Sequence, residues 1–317
     1  MDISVIIPIY NEEGNIQPMY ERMSATLSKI TDDYEIIFVN DCSKDNSLSL
    51  VKTLTQKDSH IKYISFSRNF GQQIAVSAGL DYAEGDAVVI IDADLQDPPE
   101  LVIELYSKYK EGFKVVYAKR KSRDGETWFK KFSAKVFYRL LAKMTTVDIP
   151  VDVGDFRIMD KVIVQHLRNM PEKSKYIRGQ VSWIGYKQTY VEYQRDARLS
   201  GETNYPFRKM MRYAIDAITS FSDKPLKIAS TLGLLTSLFA FLAIIYALVS
   251  HFVFDNAVSG WTSLILSILF IGGVQMITIG IIGEYIARMN NDIRNRPLYI
   301  IEEKNVEEQK NKSIETK

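Results

Sequence analysis

The sequence predicts an α/β protein with a mostly parallel, doubly wound sheet, followed by a two-helix transmembrane hairpin. Three observations carry that expectation. Short apolar runs alternate with amphipathic stretches of helical spacing across residues 3–118, the pattern of strands joined by crossover helices. One of those runs, Val88-Val89-Ile90-Ile91, is continuous enough to be a strand buried on both faces, and it stops at Asp92-Ala93-Asp94. Near the end of the chain, Ile228 to Ser250 and Asn256 to Gly283 contain no charged residue. Each exceeds the roughly 20 residues that cross hydrocarbon.

In chain order, Ser4 to Pro8 reads as a first strand, Tyr10 to Asn15 as a turn and Ile16 to Ile30 as a helix. A strand at Tyr34–Val39 runs into Asn40-Asp41-Cys42-Ser43-Lys44-Asp45. A helix from Ser47 to Gln56, a strand from Ile61 to Ser65 and a helix from Gln72 to Tyr82 follow. Past the central strand come a helix from Glu100 to Lys110 and a strand from Lys114 to Ala118. In such sheets ligands bind beyond the carboxyl ends of the strands, which here carry Asn11, Asp41, Asp92 and Asp94.

The acidic turn is the chemical focus. Residues i and i+2 of an extended chain point the same way, so Asp92 and Asp94 can face one site. Two such carboxylates repel, and a hard divalent cation relieves the repulsion and can hold a diphosphate. The bland alternative is a pair of solvated strand-end acids. Asp97, with Pro98, Pro99 and Glu100 behind it, reads instead as a helix N-cap with a capping-box acid.

Composition narrows the classes. The 317 residues carry a net charge of +1, which gives no reason to expect nucleic acid as a partner. The only cysteine, Cys42, leaves no internal disulfide framework and fits a reducing compartment. No basic n-region or cleavage site opens the chain, so no signal peptide is expected. The three histidines, His60, His166 and His251, are scattered, so a zinc-type site lacks ligands and an all-oxygen Mg2+ or Mn2+ site remains.

Three segments together, Ile6 to Glu13, Asn40 to Asp45 and Asp92 to Glu100, resemble the family 2 glycosyltransferases of the GT-A fold. Gly154-Asp155-Phe156-Arg157 and Gly201-Glu202-Thr203-Asn204-Tyr205-Pro206 resemble the polyprenyl-phosphate branch, which includes dolichol-phosphate mannose synthases and bacterial GtrB-like and ArnC-like enzymes. The resemblance runs from Met1 to Arg296. It implies a nucleotide-sugar donor, UDP-linked in most of the bacterial branch, a Mg2+ or Mn2+ cofactor, an undecaprenyl or other polyprenyl phosphate acceptor, and a homo-oligomer in membrane lipid. By the family pattern Pro8, Tyr10, Glu12 and Asp41 surround the nucleoside, Asp41 bonding the base; an Asx-turn role for Asp41 is the alternative. Asp92 falls near the ribose or a metal-bound water, Asp94 ligates the metal and Gln96 is a further oxygen ligand. Asp155 is the catalytic base or an acceptor-positioning acid.

Arginine suits phosphate because its planar fork binds two oxygens. The resemblance places Arg120 on the donor side, and Arg123, Arg157, Arg178 and Arg198 near phosphates. Lys119, Lys121 and Arg195 read equally as a solvated basic face. The family often has Ser-Lys-Tyr where this chain has Thr203-Asn204-Tyr205, which removes one cation.

The expected organisation is a GT-A domain over 1–203, an amphipathic juxtamembrane segment over 204–227, transmembrane helices at about 228–251 and 261–284, and a partly disordered tail over 288–317. Tyr205 to Phe221 fits either a helix in the membrane surface or one packed on the sheet domain, and Trp128 to Lys143 either core or interface. Lys and Arg flank both spans on one side, and His251 to Gly260 has neither. The positive-inside rule therefore places the sheet domain and both termini in the cytoplasm, at the inner (plasma) membrane. Two rival readings remain. A processive polysaccharide synthase is opposed by the lack of a Gln-x-x-Arg-Trp motif, for which Arg178 to Trp183 is the nearest string. A non-catalytic nucleotide-sugar scaffold is opposed by the presence of Asp41, Asp92, Asp94, Gln96 and Asp155 together.

Overall fold

A computed structural model describes residues 1–121, 153–194, 222–254 and 260–307. Strand β1 (Ile3–Ile9) leads to helix α1 (Glu13–Leu27), β2 (Tyr34–Asn40) to α2 (Ser47–Lys57), and β3 (Ile61–Phe66) to α3 (Gln72–Tyr82). Strand β4 (Ala87–Ile90) is followed by a 3-10 turn at Pro99–Leu101, helix α4 (Val102–Lys110) and β5 (Val115–Arg120). Then come β6 (Val153–Asp160), α5 (Lys161–Asn169), α6 (Ile177–Ile184) and β7 (Gln188–Tyr193).

Among the described residues one sheet has the order β7-β5-β6-β4-β1-β2-β3-β8, the last strand being Ile301–Lys304. β1, β2, β3 and β4 run parallel, as do β5 and β7. Two strands depart from the parallel run of this mostly parallel sheet: β6 inserts antiparallel between β4 and β5, and β8 pairs antiparallel with β3. β1, β2 and β4 are buried at nearly every position, because helices cover both faces of this part of the sheet. Ile3, Val5, Ile7 and Ile9 pack under α1 and α2, whereas Ile6, Val88 and Ile90 pack under α3 and α5. Alternation along one strand thus feeds two cores.

The N-cap expected of Asp97 is absent. Pro98 stands at that position with no side-chain cap, Asp97 turns inward to 1% exposure, and Glu100 forms a two-point pair with Arg22 at 2.8 and 2.6 Å. The acid is recruited by tertiary partners that a local capping pattern does not contain.

Helices α7 (Lys224–Phe254) and α8 (Trp261–Ile293) form the hairpin. Both are long and apolar enough to cross a membrane, and almost none of their apolar windows is buried by the protein. Large side chains such as Leu234, Phe239 and Met276 face outward, a surface that only an apolar solvent or partner satisfies. Each helix outruns its expected span. The two bases are joined where Tyr285 donates its hydroxyl hydrogen to the Ser222 carbonyl at 2.6 Å.

Beyond α8 the chain turns at Asn295, which has a left-handed φ of 44°, and returns to the sheet. Within the tail expected to be partly disordered over 288–317, an ordered strand stands. Residues 301–304 form β8, antiparallel to β3, with Lys52 on Glu303 at 2.6 Å and Val306 buried. Periodicity in the charged stretch could not reveal this, because the backbone of an edge strand supplies the pairing and the apolar anchors flank it.

Candidate active site

Three residues other than glycine adopt left-handed backbone just beyond parallel strands: Asn11 after β1 (φ 56°), Cys42 after β2 (φ 58°) and Leu95 after β4 (φ 56°). Such conformations cost free energy for side chains with a Cβ and persist where surroundings over-determine them. The first two loops are tied together. Asn11 N–H donates to Ser43 Oγ at 3.0 Å, and Lys44 N–H to Asn11 Oδ1 at 2.8 Å. Glu12 N–H donates to Ser47 Oγ at 2.9 Å, and the Glu12 carboxylate accepts from Asn15 at 2.6 Å. Tyr10 stands beside them, 44% exposed.

Asp41 is nearly buried. Its two oxygens accept the backbone N–H groups of Phe70 (2.6 Å) and Gly71 (2.8 Å). Burial nevertheless raises its pKa above the usual carboxylate range, outweighing those two bonds and Arg68. Arg68 lies over the Phe70 ring, 4.0 Å from its centre. Asp41 therefore fastens the loop after β3 through long-range bonds rather than a local Asx turn, and its syn and anti lone pairs leave room for a further donor.

The inserted strand creates the acidic site. β4 and β6 pair with Ala87 opposite Asp160 and Ile90 opposite Arg157. Continuing that register by two residues sets Asp92 level with Asp155, though 63 positions separate them in sequence (155 − 92). Burial, and then the charges of Asp155, Asp97 and Asp94, push the Asp92 carboxyl up to about 7. Asp155 goes the other way: burial opposes its charge, but the Arg178 guanidinium, Arg157 and Gln73 hold its pKa below the usual range. Arg178 Nε donates to Asp155 Oδ1 at 2.7 Å, and the same ion pair raises the Arg178 pKa although burial opposes it.

The sequence reading missed Gln72 and Gln73. At the start of α3, Gln72 Nε2 donates to Asp92 Oδ1 at 2.6 Å and Gln73 Nε2 to Asp155 Oδ2 at 3.1 Å. Gln73 Oε1 also accepts the Ile177 N–H at 3.3 Å, linking α3, β6 and α6. Two glutamines after a glycine carry no charge pattern; only their place at the N-terminus of a helix beside the sheet edge could have flagged them. Tyr193 is the other omission. Its hydroxyl donates to Asp97, and Arg120 Nε reaches the same oxygen at 3.3 Å.

The predicted arginines separate. Arg178 joins the acidic cluster and keeps about a third of its side chain exposed. Arg120 packs against Tyr193, Asp97 and the Cα of Gly154, where a Cβ would lie 3.2 Å from its Nη2. Arg157 has no exposed surface, so it does not meet a phosphate directly in this conformation. Its guanidinium binds the Gly154 carbonyl at 2.9 Å and the Asp155 carbonyl at 3.1 Å, under the Tyr117 ring. Arg123, Arg195, Arg198 and the segments Trp128 to Lys143 and Gly201 to Phe221 lie outside the described residues.

The donor set suits a hard divalent ion. Asp94 is nearly buried and accepts the Gln96 N–H at 3.2 Å, next to an Asp92 whose carboxyl is raised first by burial and then by the neighbouring acids. Among the described residues no three Asp, Glu, His or Cys side chains converge into a closed cage. Mg2+-type sites commonly use one or two carboxylates and take their remaining oxygens from water and substrate phosphate.

Residues 4–168 match the family described as Glycosyl transferase family 2, and residues 224–289 the GtrB C-terminal hairpin. The chain is 49% identical over 299 residues to the Bacillus subtilis (strain 168) protein named uncharacterized glycosyltransferase YkcC, covering 94% of this chain and 93% of that one. It is 40% identical over 301 residues to the prophage bactoprenol glucosyl transferase homolog of Escherichia coli (strain K12), covering 95% and 98%. Glucosyl-3-phosphoglycerate synthase of Mycobacterium tuberculosis, solved with Mn2+, UDP and phosphoglyceric acid, superposes with a TM-score of 0.47 at 17% identity, covering 69% of this chain and 76% of that one.

Proposed function

Because this chain belongs to glycosyl transferase family 2 and ends in the GtrB hairpin, we propose that it is an inverting enzyme. It moves a sugar, glucose or a close relative, from a nucleoside diphosphate to the phosphate of a polyprenyl carrier at the cytoplasmic membrane face. The observation that carries this reading is the convergence of Asp92, Asp94, Asp155 and Arg178 at one sheet edge. The same chain continues into an apolar hairpin. Bactoprenol glucosyl transferases match it along nearly its whole length.

The acceptor oxygen forms its bond to the anomeric carbon as the bond from that carbon to the diphosphate breaks, and the nucleoside diphosphate leaves with the electron pair. A phosphate monoester has a second pKa of about 6, so near neutral pH its oxygen attacks without first losing a proton. The chief task is then to hold two mutually repelling phosphates in line. Asp92 and Asp94, with Gln96 as a further oxygen ligand, are the residues that would hold Mg2+ or Mn2+, which when bound neutralises diphosphate charge. Asp155, kept ionised by Arg178, acts as a positioning acid: it aims the Arg178 guanidinium, whose remaining N–H groups receive the acceptor phosphate. Arg157 fixes the start of β6 through the Gly154 and Asp155 carbonyls. Pro8, Tyr10, Glu12 and the loop fastened by Asp41 form the nucleoside side, and Arg120, held by Tyr193 and Asp97, serves the donor from β5. Arg123 and Arg198 belong to the phosphate side by their sequence context.

The test uses the full-length protein in membranes with undecaprenyl phosphate and a panel of radiolabelled UDP- and GDP-sugars. Label moving into organic-extractable lipid is the expected result. Label in water-soluble polymer points to a processive synthase, and no transfer from any donor overturns the reading.

A further inference from the structure

The chain that leaves the membrane hairpin does more than return to the sheet edge. Ser67 N–H donates to the Ile300 carbonyl at 3.0 Å, and Asn305 N–H to the Tyr63 carbonyl at 3.1 Å, so residues 300–305 clasp β3 at both ends. Tyr299, six residues after the last residue of α8 (299 − 293), stacks on Phe66 with ring centres 5.2 Å apart and planes 18° from parallel. Phe66 in turn meets Phe70 edge to face at 5.5 Å. The backbone N–H of Phe70 is one of the two that Asp41 holds. The Tyr299 hydroxyl donates to Asp81 Oδ2 at 2.8 Å. Asp81 lies on α3, the helix whose first two residues are Gln72 and Gln73. Tyr299 thus bonds the helix that presents amides to Asp92 and Asp155 directly, and reaches the loop that holds Asp41 through Phe66.

We propose that Tyr299 is a positioning residue for the nucleotide-sugar site, and that it couples the end of the membrane hairpin to the donor-binding loop. The proposal rests on the donor reading given above, with Asp41 and its loop on the nucleoside side. The mechanism is steric and directional. Phe66 closes β3, and the chain must leave it at an angle that brings two successive N–H groups, those of Phe70 and Gly71, onto one carboxylate. Gly71, with a φ of 101°, is a pivot with no side chain to define that angle. The aromatic column Tyr299–Phe66–Phe70 supplies the missing constraint, and the hydroxyl bond to Asp81 ties the Tyr299 side chain to α3 without itself setting the loop. Aromatic pairs have preferred geometries, so a column of three resists rotation in a way aliphatic packing does not.

The experiment measures binding of UDP and of GDP, each with Mg2+, to the full-length protein in nanodiscs by titration calorimetry. Donor and acceptor KM, kcat and melting temperature are recorded alongside. Tyr299→Phe keeps the column and loses the bond to Asp81; its affinity stays within about twofold of wild type. Tyr299→Leu keeps bulk and loses the stack; it weakens nucleotide binding and raises donor KM by about tenfold, the scale of losing one aromatic contact. Acceptor KM stays unchanged. Glu303→Ala, on β8 just beyond Tyr299 and paired with Lys52, serves as the control and leaves all these values in place. If Tyr299→Leu lowers the melting temperature but the folded protein binds nucleotide as wild type does, the tyrosine only holds the fold together and the proposal is overturned, while the donor reading stands. If wild type binds neither nucleotide, the donor reading fails and takes this coupling with it.

Discussion

Arg178 Nε lies 2.7 Å from Asp155 Oδ1, joining helix α6 to strand β6. A carboxylate held below its usual pKa by this guanidinium, against the opposing effect of burial, is a weak proton acceptor near neutral pH. Asp155→Asn therefore loses rate by about 10²-fold, the scale of a lost positioning contact, and the loss is the same at every pH from about 5.5 to 8.5. The remaining dependence follows the acceptor's second ionisation near 6. A wild-type inflection that vanishes in Asp155→Asn would restore the base role. The linkage sign is that of a depressed acid: Asp155 adds stability above the usual carboxylate range and loses it as pH falls through its lowered folded value.

Asp92 has the opposite sign. Its folded pKa of about 7 exceeds the ordinary carboxylate value, so the folded protein binds more protons than the unfolded chain between those two values. In EDTA, stability is greatest below the ordinary value and falls as pH rises toward and through 7. Melting curves from pH 5.5 to 8.5 in EDTA should show this decline. Asp92→Asn should flatten it and melt higher than wild type at pH 8, by a few degrees, since about 1 kcal/mol shifts a domain of this size by about 2–4 °C. An unchanged slope in the mutant would assign the effect elsewhere.

Chelation tests the donor set directly. EDTA should abolish transfer, and excess Mg2+ or Mn2+ should restore it. Asp94→Asn should lose activity by at least about 10²-fold, because a neutral amide is a poorer ligand for a hard cation. Full transfer in EDTA would remove the metal from the proposal.

Topology can be read with single cysteines in a Cys42→Ser background. Ser259→Cys should react with an impermeant reagent applied to intact cells, and Ser313→Cys should not. The reverse pattern would turn the protein over and separate its active edge from cytoplasmic nucleotide sugar.

Two glycines offer a packing test. A Cβ on Gly85 would stand 2.5 Å from the Ser4 nitrogen and 2.8 Å from the Ile3 carbonyl carbon, both backbone atoms. Gly85→Ala should cost about 1–3 kcal/mol or more. Gly14 in α1 has nothing within 4 Å of such a Cβ, and Gly14→Ala should be neutral or stabilise by up to about 1 kcal/mol. Thermal denaturation of both variants decides the contrast.

What could be read in advance divides along physical lines. The central strands β1 and β4 declared themselves because burial on both faces demands long apolar runs, and the hairpin because hydrocarbon excludes charge. The acids after β4 were legible because the strand ends on them. Their companions were not: the level pairing of Asp92 with Asp155 depends on an antiparallel insertion that leaves no local periodicity. Gln72, Gln73 and Tyr193 are ordinary polar residues until the sheet brings them beside a carboxylate. Asp97 was misread because a capping motif is local, whereas Tyr193 and Arg120 reach it from across the sheet.

Strand β8 also orders events in time. During synthesis β3 emerges early, and its outer edge stays unpaired until residues 301–304 have left the ribosome, after both apolar helices. An open edge of that kind is a template for wrong pairing between chains. In the proposed topology, a hairpin that has gone out and come back delivers residues 301–304 to the side where β3 waits. A chain whose second helix failed to cross would then leave its own sheet unclosed, so completion of the sheet domain would report on correct insertion of the hairpin that follows it.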